Sequence, residues 1–517
     1  MRNFKDWIQS NKIVTALFIM LFIEGLLYLV FAHRTIEAMY NGSSIGFLNN
    51  LLKGKEKPPV DFYIQRFDTF VTVVNILLTC LVLALSFSLR LIQDKINPVY
   101  TIKQEVIKFK KTLTENRRII ILLLSLFFCF YALYVTLGIL LLPNYAYNKF
   151  TFFFADQGDW ASMEWSPYHK GSHPIILLIL ILFSFLKAFS PAVDTIVLAV
   201  ILNSFFGASG VFFASLFFWN LTKKYLETTL LTLLFGLSMS QLFFSVLMES
   251  YALAGCSVIT TYLLLLLSLK HHQIYLGYWI LAGIFSFGVT ITNFAQTLIC
   301  FAVVVFIVKK KNSVVTILEY IGAIVSICFF LSLLQKKIFS DAHYFFVPEM
   351  LTRELTWVKT TILNHPALVI PEILKHFFLV NFVAPSPFPE EIVPGTKIIL
   401  SFFGRPLDYS LLGLIGAILW LLWFIHGVYK NTISLKRMKK RIFLIPVVLA
   451  TLFSIALYSI FDAEEMFLFT CNFTFPVLLL AVNKSTMRTS YFKIALGSLV
   501  FFMGVNNLMI MRQIILT

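Results

Sequence analysis

Long runs of apolar residues alternate with short polar segments along this chain of 517 residues. A helix needs about 20 apolar residues to cross the hydrocarbon core of a bilayer, because each residue advances it by about 1.5 Å. The pattern therefore predicts an all-α polytopic membrane protein with about 13 transmembrane helices. The predicted spans are 13–32, 69–89, 119–142, 195–219, 228–248, 251–269, 276–291, 294–308, 314–334, 408–428, 442–460, 467–483 and 491–511.

The amino-acid composition agrees with a membrane protein and not with a soluble domain. Hydrophobic residues make up 59% of the chain and charged residues 13%, and 56 residues are Phe. The six cysteines lie inside apolar runs without a CxxC pair, so they predict buried packing and not a disulfide framework or metal site. The apolar run from Ile13 is too long for a cleavable signal and predicts a membrane anchor.

Charge placement predicts the orientation. With the N-terminus in the cytoplasm, the cytoplasmic segments carry 26 of the 42 Lys and Arg residues but only five of the 26 acidic ones. This asymmetry follows the positive-inside rule, so the net charge of +16 indicates topology and contact with membrane lipids and not nucleic-acid binding. The short run 174–189 is then a juxtamembrane or re-entrant helix at the outer face, since a full crossing would place Lys223 and Lys224 outside. The weaker alternative counts this run as a span and inverts the rest.

Four regions follow from this topology. An N-terminal helical hairpin and a basic cytoplasmic linker occupy 1–118, and a transmembrane core with an outer loop at 143–194 occupies 119–334. The third region, 335–407, is an outer-face loop region whose many prolines interrupt helices. The C-terminal transmembrane helices occupy 408–517.

Titratable residues concentrate in the outer segment 147–175. Ionisable groups are costly beside hydrocarbon, so such a cluster marks a candidate functional site. A solvated loop that merely joins two helices is the plainer interpretation. The clustered residues are Asp156, Asp159, Glu164, His169, Lys170 and His173.

From Phe127 to about Val482, the order of motifs resembles the polytopic glycosyltransferases of the GT-C fold. An outer loop carries Ala155-Asp156-Gln157-Gly158-Asp159-Trp160, and His173-Pro174 opens an apolar run. The later motifs are Lys223-Lys224-Tyr225, Glu249-Ser250-Tyr251, Gly288-Val289-Thr290-Ile291-Thr292-Asn293-Phe294 and Glu464-Glu465-Met466-Phe467-Leu468. The resemblance implies a GT-C-like core and a sugar donor linked to polyprenyl phosphate. Such enzymes place two acidic residues side by side, whereas Gln157 and Gly158 separate them here.

Sugar transfer from a lipid phosphate needs a base for the acceptor hydroxyl and cations for the departing phosphate. Asp156 or Asp159 is the expected base, and Asp156 is favoured because it lies closer to the apolar span. The expected substrate-binding residues are Glu164, His169, Lys170, His173, Glu249, Tyr251, Glu464 and Glu465. For most of them the alternative role is an interfacial or solvated one. Two carboxylates at i, i+3 could hold a divalent cation, but the pattern is not that of an ion-binding loop, so no metal or other cofactor is assigned.

The sequence thus predicts an enzyme of the bacterial plasma membrane with its active site on the extracytoplasmic face. It would move a sugar from a polyprenyl-phosphate donor to a glycan, lipid or protein acceptor. The alternative from another class is a transporter or flippase of a lipid-linked saccharide, and a surface-glycan polymerase or ligase is a neighbouring enzyme class. A transporter should carry charged residues near the middle of its spans, where this chain has only Glu24 and Glu319 as acidic residues.

Overall fold

A computed structural model describes most of the chain beyond residue 116. Apart from 325–330, the described residues belong to one compact unit within Val106–Ile324 and Leu331–Thr517. The predicted spans 13–32 and 69–89 lie outside the described residues. The described ranges are 117–146, 150–153, 155, 173–190, 192–309, 312–339, 342–345, 366–393, 397–404, 406–434, 438–460, 463–483 and 489–516.

Helices dominate the described residues, and three short strands accompany them. In chain order the elements are α1 Arg117–Ala146, β1 Phe150–Phe152, α2 Ile176–Phe189, α3 Thr195–Thr222, α4 Tyr225–Gly236, α5 Met239–Val246, α6 Tyr251–His271, α7 Leu276–Val289, α8 Asn293–Val308, α9 Ser313–Ile338, α10 Pro366–Lys375, the π-helix His376–Val380, β2 Phe388–Val393, β3 Lys397–Ser401, α11 Leu411–Ser434, α12 Met438–Ile460, the 3-10 helix Ala463–Asn472, α13 Thr474–Ala481 and α14 Ser490–Leu516.

The described residues form an integral membrane protein with seven helices long and apolar enough to cross a bilayer. These helices are α1, α3, α6, α9, α11, α12 and α14, all at predicted spans. An eighth crossing is formed if α4 and α5, which meet at a bend of 61°, count as one broken span. The total of about 13 transmembrane helices in the whole chain stays a prediction.

Three further predicted spans form shorter or broken helices. The spans 276–291 and 294–308 correspond to α7 and α8, of 14 and 16 residues, joined by a turn at Thr290–Thr292. Fourteen residues extend a helix by only about 21 Å, less than a hydrocarbon core of about 30 Å. The span 467–483 divides between the 3-10 helix and α13. Hydropathy identifies apolar runs but does not show where a helix breaks. This explains why these three predicted spans are shorter or interrupted in the structure.

The run 174–189, predicted as a short helix, corresponds to α2, which has 14 residues.

Outward faces of the long helices are apolar, and some of their buried positions carry polar side chains. Ile425 on α11 and Leu452 on α12 are 62% and 56% exposed, as expected for surfaces that contact lipid chains. Asn431 of α11 is buried and donates to the carbonyls of Leu480 and Val482. Helix α6 is the most enclosed of the seven long helices.

The segment that follows the π-helix accepts hydrogen bonds from the start of α5. The N–H groups of Met239 and Ser240, after the break between α4 and α5, donate to the carbonyls of Phe382 and Asn381. Asn507 of α14 completes the junction, because its Nδ2 donates to the carbonyls of Leu237 and Phe382 and its Oδ1 accepts from the N–H of Ala384. Irregular backbone at membrane depth is tolerated only when such partners exist.

Replacing Asn507 by Ala is expected to destabilise the protein by about 3 kcal/mol. The change leaves two carbonyls and one N–H without their side-chain partner in a site from which water is excluded. Thermal melting in detergent micelles would reveal the loss as a melting temperature lower by several degrees. Thr432→Ala, which removes an exposed bond to the carbonyl four residues earlier, is the control and should melt like the wild type. Equal melting of both variants would contradict the assigned role of Asn507.

A small sheet joins two of the predicted outer segments. Its order is β1-β3-β2, with β1 parallel to β3 and β2 antiparallel to it. The register pairs Phe152 with Leu400, so the loop at 143–194 and the region 335–407 meet. The all-α prediction did not include these strands, because runs of three to six residues give little periodicity. The end of the bundle that carries this sheet is called the sheet end below.

The region 335–407 also holds a buried helical segment, α10 and the π-helix. Phe377 stacks on Phe473 with ring centroids 3.6 Å apart, and Phe382 stacks on Trp420 at 3.8 Å. Phe377 and Phe382 are both fully buried. Part of the segment that the sequence predicts as an outer-face loop therefore lies in the interior of the bundle.

Candidate functional site

Five phenylalanines from four parts of the chain meet at the sheet end. The ring of Phe153 lies 4.9 Å from Phe243, 4.7 Å from Phe402 and 4.7 Å from Phe467, and Phe244 lies 5.4 Å from Phe467. All five side chains are buried. These residues, called the aromatic cluster below, fix the segments on either side of them.

Phe153 turns the chain away from β1 towards the predicted catalytic loop. Its φ of 52° lies in the left-handed region, which costs a non-glycine residue about 1–2 kcal/mol. Burial of its ring and the bond from its N–H to the carbonyl of Leu400 offset that cost. The turn continues through the N–H of Ala155, which donates to the carbonyl of Phe152.

The described chain thus reaches Ala155, the residue before Asp156. Five of the predicted site residues lie outside the described residues: Asp156, Asp159, Glu164, His169 and Lys170. Their assigned roles stay predictions.

Glu249 and Tyr251 lie beside the aromatic cluster. Glu249 is 6% exposed in the segment between α5 and α6, and the ring of Tyr251 lies 5.2 Å from that of Phe244. Asn203 of α3 fixes this segment, because its Nδ2 donates to the carbonyls of Phe244 and Leu247. The sequence motif Glu249-Ser250-Tyr251 therefore follows a segment held by Asn203 and leads directly into α6, which begins at Tyr251.

Glu464 and Glu465 belong to the 3-10 helix that leads into the aromatic cluster. Glu465 is partly exposed, the next residue Met466 is buried, and Phe467 is a member of the cluster. Ten residues is long for a 3-10 helix, whose hydrogen bonds are less favourable than those of an α-helix. Its far end is held by Asn472, which accepts from Asn293 at 2.8 Å.

His173 lies against the turn between α7 and α8. Its Nδ1 donates to the carbonyl of Val289, and the N–H of Ile175 donates to the carbonyl of Gly288 at 3.2 Å. A Cβ at position 288 would lie 2.1 Å from the Ile175 side chain, so this close approach requires glycine. Two motifs more than a hundred residues apart are thus in contact, and His173 has the local structural role that the sequence left open beside substrate binding.

A buried charged group that the sequence did not single out borders the aromatic cluster. The Nζ of Lys375 lies 2.5 Å from a carboxylate oxygen of Glu372 and donates to the carbonyl of Phe402 at 2.7 Å. His376, the first residue of the π-helix, is 1% exposed, and its Nδ1 donates to the carbonyl of Glu372 at 2.9 Å. Because Phe402 belongs to the aromatic cluster, this group, called the Glu372–Lys375–His376 group, lies at the same site.

His376 is uncharged at neutral pH. Burial lowers its pKa to about 3, and the positive charge of Lys375 acts in the same direction. With Nδ1 carrying the proton, its Nε2 is an acceptor. The group therefore presents one cation, Lys375, one carboxylate and one neutral imidazole.

The depressed pKa of His376 predicts that the fold loses stability in mild acid. The folded state disfavours the imidazolium, so stability is fully present above pH 6.5 and falls as the pH drops towards 3. Each pH unit in this window costs up to about 1.4 kcal/mol, or about 2–3 kcal/mol between pH 6.5 and 4.5. Melting curves across this range should fall less steeply for His376→Gln, whereas His426→Gln, at an exposed position, should retain the wild-type slope. Parallel slopes for all three proteins would contradict the buried, neutral His376.

Sequence reasoning missed Glu372 and Lys375 because their i, i+3 spacing is common on exposed helices. Only the fold reveals that this face of α10 is buried. Among the described residues, no group of three or more His, Cys, Asp or Glu side chains could hold a metal ion.

Comparison of the chain with protein-family models, curated proteins and solved structures gave no match.

Proposed function

We propose that this protein is a membrane glycosyltransferase that moves a sugar from a polyprenyl-phosphate donor to an acceptor at the extracytoplasmic face. The observation that carries the proposal is the convergence at the aromatic cluster. The strand that leads to Asp156, the 3-10 helix that carries Glu465, and the turn that carries Glu249 all reach it. Three segments that the sequence selected separately thus meet at one end of a membrane bundle.

Lys375, whose side chain is 10% exposed, gives this site a cation suited to a phosphate. An ammonium is a compact point charge that binds phosphate without a planar partner, and low exposure strengthens its field. Lys375 Nζ uses one donor on Glu372 and one on the carbonyl of Phe402, and it has three donors in all. In the proposed reaction Lys375 holds the departing polyprenyl phosphate together with His169 and Lys170.

The proposed chemistry divides between a base and a set of binding residues. Asp156, or Asp159, takes the proton from the acceptor hydroxyl as that oxygen attacks the anomeric carbon. The bond from this carbon to the phosphate oxygen breaks, and the electron pair leaves with the polyprenyl phosphate. Glu164, Glu249, Tyr251, Glu464 and Glu465 contact the sugar or the acceptor.

The test is transfer in proteoliposomes that contain a radiolabelled polyprenyl-phosphate sugar and a crude acceptor fraction from bacterial envelopes. The proposal predicts labelled product together with free polyprenyl phosphate. A flippase would instead leave the donor intact and move its sugar between leaflets, which a membrane-impermeant oxidant such as periodate detects. Intact donor with altered accessibility would overturn the enzymatic proposal in favour of transport.

A further inference from the structure

A second charged site lies at the end of the bundle opposite the sheet. Helix α1 ends shortly before β1, and Gly138 near that end lies against Val200 near the start of α3, so α3 runs antiparallel to α1. The C-terminus of α3 therefore lies at the far end of the bundle. Lys270 at the end of α6 bonds to Asn220 of α3, which places both helix ends together.

Two lysines converge there on one amide oxygen. The Nζ atoms of Lys223 and Lys270 each lie 3.2 Å from the Oδ1 of Asn220. The two ammonium groups are therefore within about 6.4 Å of each other, a distance at which like charges repel, more strongly beside hydrocarbon than in water. The Asn220 side chain is held in place, because its Nδ2 donates to the carbonyl of Leu216 at 3.0 Å.

Aromatic side chains place this pair at the depth of lipid headgroups. Lys223 Nζ lies 5.2 Å from the centre of the Trp219 ring, and the rings of Trp219 and Tyr225 lie 5.3 Å apart. Trp and Tyr are enriched where a membrane protein crosses from hydrocarbon to headgroups. Tyr225 is half exposed, so the lysine pair borders the lipid-facing surface of the bundle.

The neighbouring carboxylate is already shared by other lysines. Glu227 is buried, and the same oxygen lies 3.5 Å from Lys224 and 3.6 Å from Lys493. The Nζ atoms of Lys223 and Lys270 both contact the Asn220 side chain, and two cations this close together favour an anionic ligand beside them.

We infer that Lys223, Lys270 and Asn220 form a binding site for the phosphate of an anionic membrane phospholipid. The phosphate oxygens accept from the two ammonium groups, and the acyl chains follow the outer surface of α3 past Trp219. Basic pockets between transmembrane helices recognise anionic headgroups in this way. The inference does not depend on the proposed sugar transfer.

Native mass spectrometry of the full-length protein, titrated with phosphatidylglycerol and with phosphatidylcholine, tests the site. In Lys223→Gln/Lys270→Gln the apparent Kd for phosphatidylglycerol should rise about thirtyfold, while that for phosphatidylcholine stays unchanged. The matched control is Lys309→Gln/Lys430→Gln, which removes the same charge from exposed lysines and should change the Kd less than about threefold. Equal losses of phosphatidylglycerol affinity in both double variants would overturn the inference. They would indicate only a general electrostatic attraction between the positive protein surface and anionic lipid.

Asn220→Asp provides a second test that leaves both lysines in place. The new carboxylate would occupy the anion position between the ammonium groups, so phosphatidylglycerol binding should weaken about tenfold. Unchanged affinity in this variant would contradict the site. Displacement of the lipid by millimolar inorganic phosphate would also contradict it, because the ligand would then be a free anion and not a lipid.

Discussion

Replacing Asp156 by Asn is expected to reduce the proposed sugar transfer by about 10²–10⁴-fold while the protein stays folded. The amide keeps the size of the side chain but cannot accept the proton of the acceptor hydroxyl, and a positioned base contributes about this factor. Release of polyprenyl phosphate from a labelled donor, followed by thin-layer chromatography, measures the loss. Melting temperatures equal to that of the wild type would separate a chemical effect from unfolding.

Asp159→Asn is the matched control, because it makes the same chemical change three residues away. If Asp156 is the base, Asp159→Asn retains most of the transfer activity. The reverse order of effects would assign the base to Asp159 and leave the proposed reaction intact. Full activity in both variants would show that neither carboxylate acts as the base.

Replacing Lys375 by Met is expected to destabilise the protein by about 3–5 kcal/mol. The change leaves the carboxylate of Glu372 buried without its cation, and breaking a buried ion pair from one side has this cost. Unfolding by sodium dodecyl sulfate in mixed micelles would show the loss as a lower midpoint. Lys430→Met, at an exposed position on α11, should change stability by less than about 0.5 kcal/mol.

The double variant Glu372→Gln/Lys375→Met tests the reason for that loss. It removes both charges, so most of the stability should return, since a buried pair replaced by neutral groups is often no less stable. If the double variant is as unstable as Lys375→Met, packing and not the charge of Glu372 explains the loss. Restored stability without restored transfer would support the proposed phosphate-binding role of Lys375.

Long apolar runs were enough to predict the long helices of the described chain. Helices such as α3 and α6 have more than 20 residues without a break, and their apolar character alone determines them. The breaks were not predictable, because they depend on distant partners. The bend between α4 and α5 is stabilised by Asn507, 270 residues away from Leu237. No local signal in Gly236-Leu237-Ser238 identifies that partner.

Only part of the candidate site was predictable from the sequence, because the rest also depends on contacts between distant residues. The motifs that carry Glu249, Glu465 and His173 stood out as polar groups at the ends of apolar runs, and the structure connects the first two to the aromatic cluster. Phe residues are so frequent in this chain that Phe153 and Phe402 carried no signal in the sequence. The Glu372–Lys375–His376 group was hidden because burial of α10 follows from tertiary packing, which overrides local pattern.

The most direct test of the proposed glycosyltransferase is the release of polyprenyl phosphate by purified wild-type protein in lipid, counted per protein molecule. A set of radiolabelled polyprenyl-phosphate sugars would serve as donors, with the acceptor fraction present in every reaction. The proposal predicts many phosphates released per protein with one donor, matched by labelled acceptor and lost in Asp156→Asn. Binding of every donor without release, unchanged by Asp156→Asn, would contradict it.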